Sequence, residues 1–258
     1  KYNPKLNNDL DSIIFFTTHK AASNFTNQVL KEIEQNSELV LYDYGALIGS
    51  LSEKLSITNK FEEYLNENSN TLFHLYGEIY GPQRMPLNFE GINDYKKIFF
   101  LRDPRDVLVS AYYSFGFNHV EPNSSTLLDT FLEEREKIQN QSIDEYVLQQ
   151  ANKWIKPMYS DYKKLRQKTS QNTLYLKYND YVQDTVGFIN SIFNFVGFEN
   201  KELAARLSLA ANPITKIENK DIHKRSGKNN QWKTHLTQST QDKLNVELKD
   251  TLEYWEFI

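Results

Sequence analysis

The stretch KIFFLRDPRDVLVSAYYSF, residues 97–115, places an apolar run directly before a cluster of charges. The run KIFFL (97–101) is typical of a strand that is buried on both faces. Asp103 then suits the N-cap of a helix, and Pro104 suits its first turn. The stretch therefore predicts a strand that leads straight into a helix, with Arg102 at the carboxyl end of the strand.

Two side chains of this stretch suit a phosphate group. Arg102 ends the strand, and Ser110 falls on the face of the helix that is turned away from its apolar stripe. A planar guanidinium and a hydroxyl can both donate hydrogen bonds to a phosphate monoester. Asp106 stands where a capping-box acid would. A solvated arginine beside a capped helix start is the alternative, and this stretch alone does not decide between the two.

Four more apolar runs predict strands, namely SIIFFT (12–17), ELVLYD (38–43), TLFHLY (71–76) and TLYLKY (173–178). Helical patterns lie between the strands, starting near Asn24 and covering 127–138, 142–168 and 184–196. Strands that alternate with helices predict a three-layer α/β/α fold with a central, mainly parallel sheet of about five strands. In such sheets ligands bind beyond the carboxyl ends of the strands.

Length and composition narrow the classes of protein. The 258 residues fit one domain over 1–258, and a net charge of −4 argues against a general nucleic-acid binder. The absence of cysteine excludes disulfides and thiolate metal sites and favours the cytoplasm. The sequence contains no run of about 20 apolar residues, so it predicts no membrane span. A membrane-anchored or larger multidomain parent protein stays open, because the sequence does not begin with Met.

Two other segments are rich in groups that attract anions. THKAASNF (18–25) follows the first strand and carries Lys20 in a turn before a helix, whose first N–H groups favour anions. It is no Walker A loop, because the chain has no GxxxxGK[ST] motif. HKRSGKNNQWK (223–233) gathers four basic residues, a glycine and a tryptophan. Taken singly, each segment also suits an ordinary surface turn.

Together and in this order, the segments resemble the sulfotransferases that use 3′-phosphoadenosine 5′-phosphosulfate (PAPS). THKAASNF is similar to the 5′-phosphosulfate loop of that family, and RDPRDVLVSAYYSF is similar to its 3′-phosphate motif. RSGKNNQW resembles its C-terminal RKGxxGDW segment, with Asn230 and Gln231 in place of Gly-Asp. The resemblance implies a P-loop NTPase-like fold and the transfer of a sulfuryl group from PAPS to a hydroxyl or amine, with PAP as product.

The resemblance also implies roles for individual residues. Lys20 would contact the phosphosulfate and its bridging oxygen, and Phe25 would stack on the adenine, to which Tyr178 would donate a hydrogen bond. Arg102 and Ser110 would hold the 3′-phosphate. The remaining residues implied at the cofactor are Ala22, Ser23 and Asn24 at the 5′-phosphate, and Arg225, Ser226 and Gly227 in a segment that closes over the 3′-phosphate.

Transfer of a sulfuryl group needs charge stabilisation on the leaving oxygen and a base for the acceptor proton. Lys20 is the candidate for the leaving side. His74 resembles the histidine of the family's Lys-Thr-His-Leu segment, and Glu78 is the substitute base. No metal site is expected, because His and acidic residues lack ligand-like spacing.

The acceptor and two rival functions stay open. A small molecule, a carbohydrate or a carrier-bound alcohol would suit the acceptor, with the segments 76–95 and 116–142 as candidate walls of its pocket. One rival is a kinase-like enzyme that uses ATP and magnesium, and the other is a non-catalytic nucleotide-binding module. Oligomeric state cannot be read from the sequence.

Overall fold

The computed structural model describes residues 10–45, 61–122, 125–168, 172–211 and 227–258. These residues form two compact units. The sheet unit comprises the described residues within Lys1–Leu101 and Leu165–Asn212, and the helical unit comprises those within Arg102–Lys164 and Pro213–Ile258. One domain over the whole chain stays a prediction.

The sheet unit holds a parallel sheet of five strands in the order β2-β3-β1-β4-β5. The strands are β1 Ile13–Thr17, β2 Val40–Tyr42, β3 Glu78–Gln83, β4 Lys96–Leu101 and β5 Thr173–Lys177. The predicted α/β class with a central parallel sheet of about five strands is therefore confirmed.

The central strand explains why the sheet forms. All five residues of β1 are buried, and β1 pairs with β3 on one side and β4 on the other. On one face of the sheet, Ile13 and Phe15 join an apolar core with the helices that flank the sheet. On the other face, Phe16 stacks on Phe99 with ring centroids 5.2 Å apart. A continuous apolar run is thus required, because both faces of β1 exclude water.

The described residues form helices with the following bounds, in chain order: α1 Ser23–Asn36, α2 Phe61–Glu67, α3 Ser69–Leu72, α4 Pro104–Tyr113, α5 Ser125–Gln139, α6 Ile143–Gln150, α7 Lys156–Gln167, α8 Tyr178–Gln183, α9 Thr185–Val196, α10 Lys201–Ala211, α11 Trp232–His235, α12 Gln238–Glu247 and α13 Lys249–Tyr254. A π-helical turn, Ala151–Ile155, separates α6 from α7, so the predicted helix over 142–168 is interrupted. The helix predicted over 184–196 is confirmed.

The strand predicted over 71–76 is wrong. Ser69–Leu72 is a helical turn, and the third strand is Glu78–Gln83, with the sequence EIYGPQ. Glycine and proline are depleted in strands, so this sequence is a weak strand signal by itself. Pairing with β1 and β2 makes it a strand. The segment 76–95, predicted as a wall of the acceptor pocket, therefore contains β3.

No helix among the described residues is long and apolar enough to cross a membrane. The absence of a membrane span from this chain stays a prediction.

Candidate active site

The loop after β1 has a backbone suited to bind an anion. Lys20 and Ala22 both have left-handed conformations, with φ of 65° and 54°, and they flank the buried Ala21. Turns of this kind direct successive backbone N–H groups into one concavity, where an anion can accept from several of them. The loop leads directly into α1, and no side chain caps the first turn of that helix. The free N–H groups of the helix start add to the same positive potential.

The side chains of this loop differ in burial. Lys20 and Ser23 are half-buried, and Asn24 is exposed. Thr18 is fully buried, and its Oγ1 has no hydrogen-bond partner among the described residues. A buried hydroxyl without a partner is uncommon in folded proteins and is expected where a ligand completes the site.

Phe25 and Tyr178, the residues expected at the adenine, belong to the core of the sheet unit. Phe25 packs on Tyr181 with ring centroids 5.0 Å apart, and Tyr178 stacks on Phe100 at 6.3 Å. Both side chains are largely buried. Their rings are thus fixed by packing, and their role at the adenine stays a prediction.

His74 and Glu78 contact each other. His74 Nδ1 lies 3.0 Å from Glu78 Oε1, and the Tyr80 hydroxyl donates a short hydrogen bond to Glu78 Oε2. The backbone N–H of Glu78 donates to Ser12 Oγ at 3.0 Å. The His74 side chain is 55% exposed and that of Glu78 is 2% exposed. Burial raises the pKa of the Glu78 carboxyl, and the hydrogen bond and charge of His74 oppose that shift.

The structure does not bring this pair to Lys20. Glu78 is the first residue of β3, and the register of β3 on β1 places it beside the start of β1. Lys20 follows the opposite end of β1. Five residue steps of strand from Ser12 to Thr17 span about 16 Å. His74 and Glu78 therefore lie at the amino edge of the sheet, whereas Lys20 lies beyond the carboxyl edge.

Gln83, which sequence reasoning missed, lies at the carboxyl edge. It is the last residue of β3 and pairs with Phe16 of β1. Its side chain is buried, and its Nε2 has no hydrogen-bond partner among the described residues. No sequence signal singles it out, because the sequence predicts the third strand at 71–76, seven residues before its position in the structure.

The helical unit contains the residues expected at the 3′-phosphate. Arg102 is only 3% exposed, and its Nη2 donates a hydrogen bond of 2.9 Å to the carbonyl oxygen of Lys228. The hydroxyl of Tyr159 donates a short hydrogen bond to the Arg102 carbonyl oxygen. Ser110 is half-buried on α4. A buried guanidinium held in this way presents fixed donors.

Asp106 fastens the C-terminal segment to α4. Its carboxylate accepts from the backbone N–H of Asn230 at 2.8 Å and of Trp232 at 3.1 Å, so it does not complete the predicted capping box. Burial raises the pKa of Asp106, while the charge of Arg102 and these two hydrogen bonds lower it. Ser110 follows Asp106 by four residues and therefore lies on the same face of α4.

Two further features fix the path of this segment. Asn230 has a left-handed φ of 57°, a conformation that asparagine tolerates better than most residues, so it can replace the family's glycine. The guanidinium of Arg105 lies 3.8 Å from the centre of the Trp232 ring and also contacts Asp103 and Asn245. Gly227 has a left-handed φ of 65°. The predicted cofactor residues Arg225 and Ser226 lie outside the described residues.

Among the described residues, no group of three or more His, Cys, Asp or Glu side chains could hold a metal ion. The absence of a metal stays a prediction.

Comparison with solved structures identifies the same fold in known enzymes. Retinol dehydratase in complex with androsterone and the inactive cofactor PAP has a TM-score of 0.55 and 17% identity, covering 98% of this chain and 82% of that chain. Mouse sulfotransferase SULT7A1 complexed with PAP also has a TM-score of 0.55, with 15% identity, covering 94% of this chain and 84% of that chain. At these identities the likeness concerns the fold.

Comparison with curated proteins gives no match. A family model described as the sulfotransferase domain matches residues 10–255, which is nearly the whole chain. The match includes both the loop after β1 and the segment around Arg102. The chain therefore belongs to the sulfotransferase family.

Proposed function

We propose that this chain transfers a sulfuryl group from PAPS to a hydroxyl or amine of an acceptor and releases PAP. The observation that carries the proposal is the loop of residues 18–22, where left-handed Lys20 and Ala22 precede the uncapped start of α1. This backbone geometry favours a phosphate-like anion. The presence of PAP in the two related crystal structures supports PAPS as the donor.

The proposal assigns separate residues to the two ends of this donor. In the proposal, Lys20, Ser23, Asn24 and the backbone around Ala22 bind the 5′-phosphosulfate, while Phe25 and Tyr178 contribute to the adenine site. The buried Thr18 Oγ1 without a partner supports a ligand at this loop.

Arg102 and Ser110 are proposed to bind the 3′-phosphate. The buried Arg102 guanidinium supports this, since a buried cation gains most from an anionic ligand. Arg225, Ser226 and Gly227 are proposed to close over the same phosphate. A donor without the 3′-phosphate would not accept the hydrogen bonds that these groups are proposed to donate, which favours PAPS over ATP.

The chemical step is an in-line displacement. The acceptor oxygen or nitrogen bonds to sulfur while the bond from sulfur to the 5′-phosphate oxygen breaks, and the acceptor proton passes to a water molecule of the solvent. Lys20 is proposed to stabilise the charge that develops on the leaving oxygen. Neither His74 nor Glu78 is proposed as the base, because both lie at the amino edge of the sheet.

The acceptor is proposed to be an alcohol or amine of a small molecule, a carbohydrate or a carrier-bound chain. Met85 lies two residues beyond the end of β3, at the carboxyl edge of the sheet, and is 39% exposed. This exposed apolar group in the segment 76–95 supports an acceptor with apolar surface.

A non-catalytic nucleotide-binding module is the second candidate. The position of His74 and Glu78 favours it, because the two candidate bases are one strand length from the Lys20 loop. No observation favours a kinase-like enzyme, since the chain lacks the glycines of a Walker A loop.

Calorimetric titration with PAP, adenosine 5′-monophosphate and ATP tests the proposal. We expect PAP to bind in the micromolar range and the monophosphate to bind at least about tenfold more weakly, because charge-assisted hydrogen bonds to the 3′-phosphate are lost. R102A should remove most of that difference. Absence of PAP binding, or equal affinity for ATP, would contradict the proposal. PAP binding without turnover on any acceptor would favour the non-catalytic module.

A further inference from the structure

Two buried polar atoms without partners lie at the carboxyl ends of adjacent strands. Gln83 ends β3 and is 4% exposed, and Thr18 follows β1 and is fully buried. Neither Gln83 Nε2 nor Thr18 Oγ1 has a hydrogen-bond partner among the described residues. Such atoms oppose folding, because they have lost water without gaining a partner. Their occurrence at the carboxyl ends of two paired strands points to a ligand that supplies the partner.

The strand register places Gln83 on the face of the sheet that carries Phe16. Tyr80 pairs with Ile14 and Gln83 with Phe16, so β3 contains one more residue than β1 over this interval. The extra residue places Gln83 on the face of Phe16. Thr18 directly follows the last residue of β1, so its buried hydroxyl lies at the same carboxyl edge of the sheet.

Gly81 makes this irregularity possible. A Cβ at position 81 would lie 2.7 Å from the carbonyl oxygen of Phe15, and the φ of Gly81 is 151°. Only glycine fits a backbone approach this close. The position of Gln83 in the sheet therefore depends on a backbone conformation of Gly81 that other residues rarely adopt.

The chemistry of the two atoms selects the ligand group. An amide N–H can only donate, so Gln83 Nε2 requires an acceptor atom. The threonine hydroxyl can donate to the same group. Lys20, two residues after Thr18, supplies a positive charge. Together the three side chains suit a group that carries several oxygen atoms and a negative charge.

We infer that Gln83 and Thr18 form a subsite for the sulfuryl group of the donor. The inference rests on the proposed function and assigns within it the two side chains that donate to the transferred group. Neutral donors in a site shielded from water would hold the sulfuryl oxygens before transfer and stabilise their charge during it. PAP lacks the sulfuryl group, so the subsite should distinguish PAPS from PAP.

Calorimetric titrations with PAPS and with PAP, both without acceptor, test this inference. Gln83→Leu removes the donor at similar size, and Gln35→Leu is the matched control at an exposed position of α1. We expect Q83L to bind PAPS at least about tenfold more weakly, since one hydrogen bond to a charged group is lost. Its affinity for PAP should be unchanged, and Q35L should match wild type for both ligands.

Thermal unfolding separates this role from a structural one. If Gln83 serves a ligand, Q83L should unfold at the same temperature as wild type or higher, because a buried amide without a partner is replaced by an apolar group. If Gln83 stabilises the fold, Q83L should unfold at a lower temperature and lose both ligands together, which overturns the inference.

Two further results of the titrations also test the inference. Wild-type affinity of Q83L for PAPS would overturn the inference while leaving PAP binding, and so the proposed function, intact. If wild type does not bind PAP, the proposed function fails and this inference fails with it. Thr18→Val, which removes the second atom and keeps the side-chain shape, applies the same comparison if Q83L does not fold.

Discussion

Buried polar groups at the two edges of the parallel sheet differ in whether they have a hydrogen-bond partner. At the amino edge, the buried Glu78 finds its polar partners within the protein. Glu78 accepts a hydrogen bond from the Tyr80 hydroxyl, lies 3.0 Å from His74 Nδ1 and donates its own N–H to Ser12. Such a network supports the fold, because each buried group is compensated.

At the carboxyl edge, the same strands end in groups that lack such compensation. Thr18 Oγ1 and Gln83 Nε2 have no partner among the described residues, and Lys20 and Ala22 hold left-handed conformations. Both features carry a cost in folding free energy. We therefore infer that the unsatisfied amide of Gln83 is a better sign of a ligand site in this sheet than the histidine paired with Glu78.

Loss of the Lys20 charge should have the largest effect. Lys20→Met keeps the length of the side chain, and we expect turnover to fall by about 100-fold or more, as for other losses of a charge-stabilising group. Steady-state assays with PAPS and a productive acceptor measure this. Lys31→Met, at an exposed position of α1, is the control and should retain activity. Wild-type turnover of K20M would contradict the importance of the carboxyl edge.

Arg102 provides the next test. Arg102→Lys keeps the charge and loses the planar fork of donors, so the affinity for PAP should fall by about tenfold. The affinity for adenosine 5′-monophosphate should not change. Isothermal titration measures both, and Arg206→Lys on an exposed part of α10 is the control. Equal losses for the two nucleotides would place Arg102 away from the 3′-phosphate.

Gly81 tests whether the carboxyl edge depends on the irregular strand. Gly81→Ala should lower the free energy of unfolding by about 2 kcal/mol, because the added Cβ meets the Phe15 backbone and φ is unfavourable. Urea denaturation measures this. Gly45→Ala is the control, since its added Cβ would meet only ordinary contacts at 3.4 and 3.5 Å. Unchanged stability of G81A would refute the close approach of the two strands.

The smallest effect is expected at the amino edge and depends on pH. Burial raises the pKa of Glu78 above its ordinary value of 4.5, so the folded state holds this proton more tightly than the unfolded state. Its contribution to stability is therefore greatest below pH 4.5 and is lost as the pH rises through the raised pKa.

Glu78→Gln removes this titration. Relative to wild type, E78Q should gain stability as the pH is raised from 4.5 to neutrality, and its turnover should stay close to that of wild type. Denaturation curves across this range and an activity assay measure the two quantities. A large loss of turnover in E78Q with unchanged stability would return Glu78 to the list of candidate bases.

The sequence predicted those elements that carry their own signal. The runs of β1, β4 and β5 are rich in apolar residues, and Asp103 with Pro104 starts α4 where expected, with the Asp103 carboxylate accepting from the Arg105 N–H. The loop around Lys20 was found for the same reason, since a strand end, a basic residue and a helix start are all local features.

Elements that depend on distant partners could not be predicted in this way. β3 is a strand because β1 and β2 pair with it, although its sequence contains Gly81 and Pro82. Because the sequence predicts this strand too early in the chain, the prediction places His74 on a strand and does not single out Gln83. The bonds from Asn230 and Trp232 to Asp106 join positions more than a hundred residues apart, which no local pattern shows.

Amide hydrogen exchange with and without PAP tests the central claim most directly. We expect PAP to protect the segment 17–25 and the segments around Arg102 and Gly227, and to leave 72–80 unchanged. Protection of 72–80 without protection of 17–25 would show that the ligand binds near His74 and Glu78, and it would contradict the assignment of the site to the carboxyl edge.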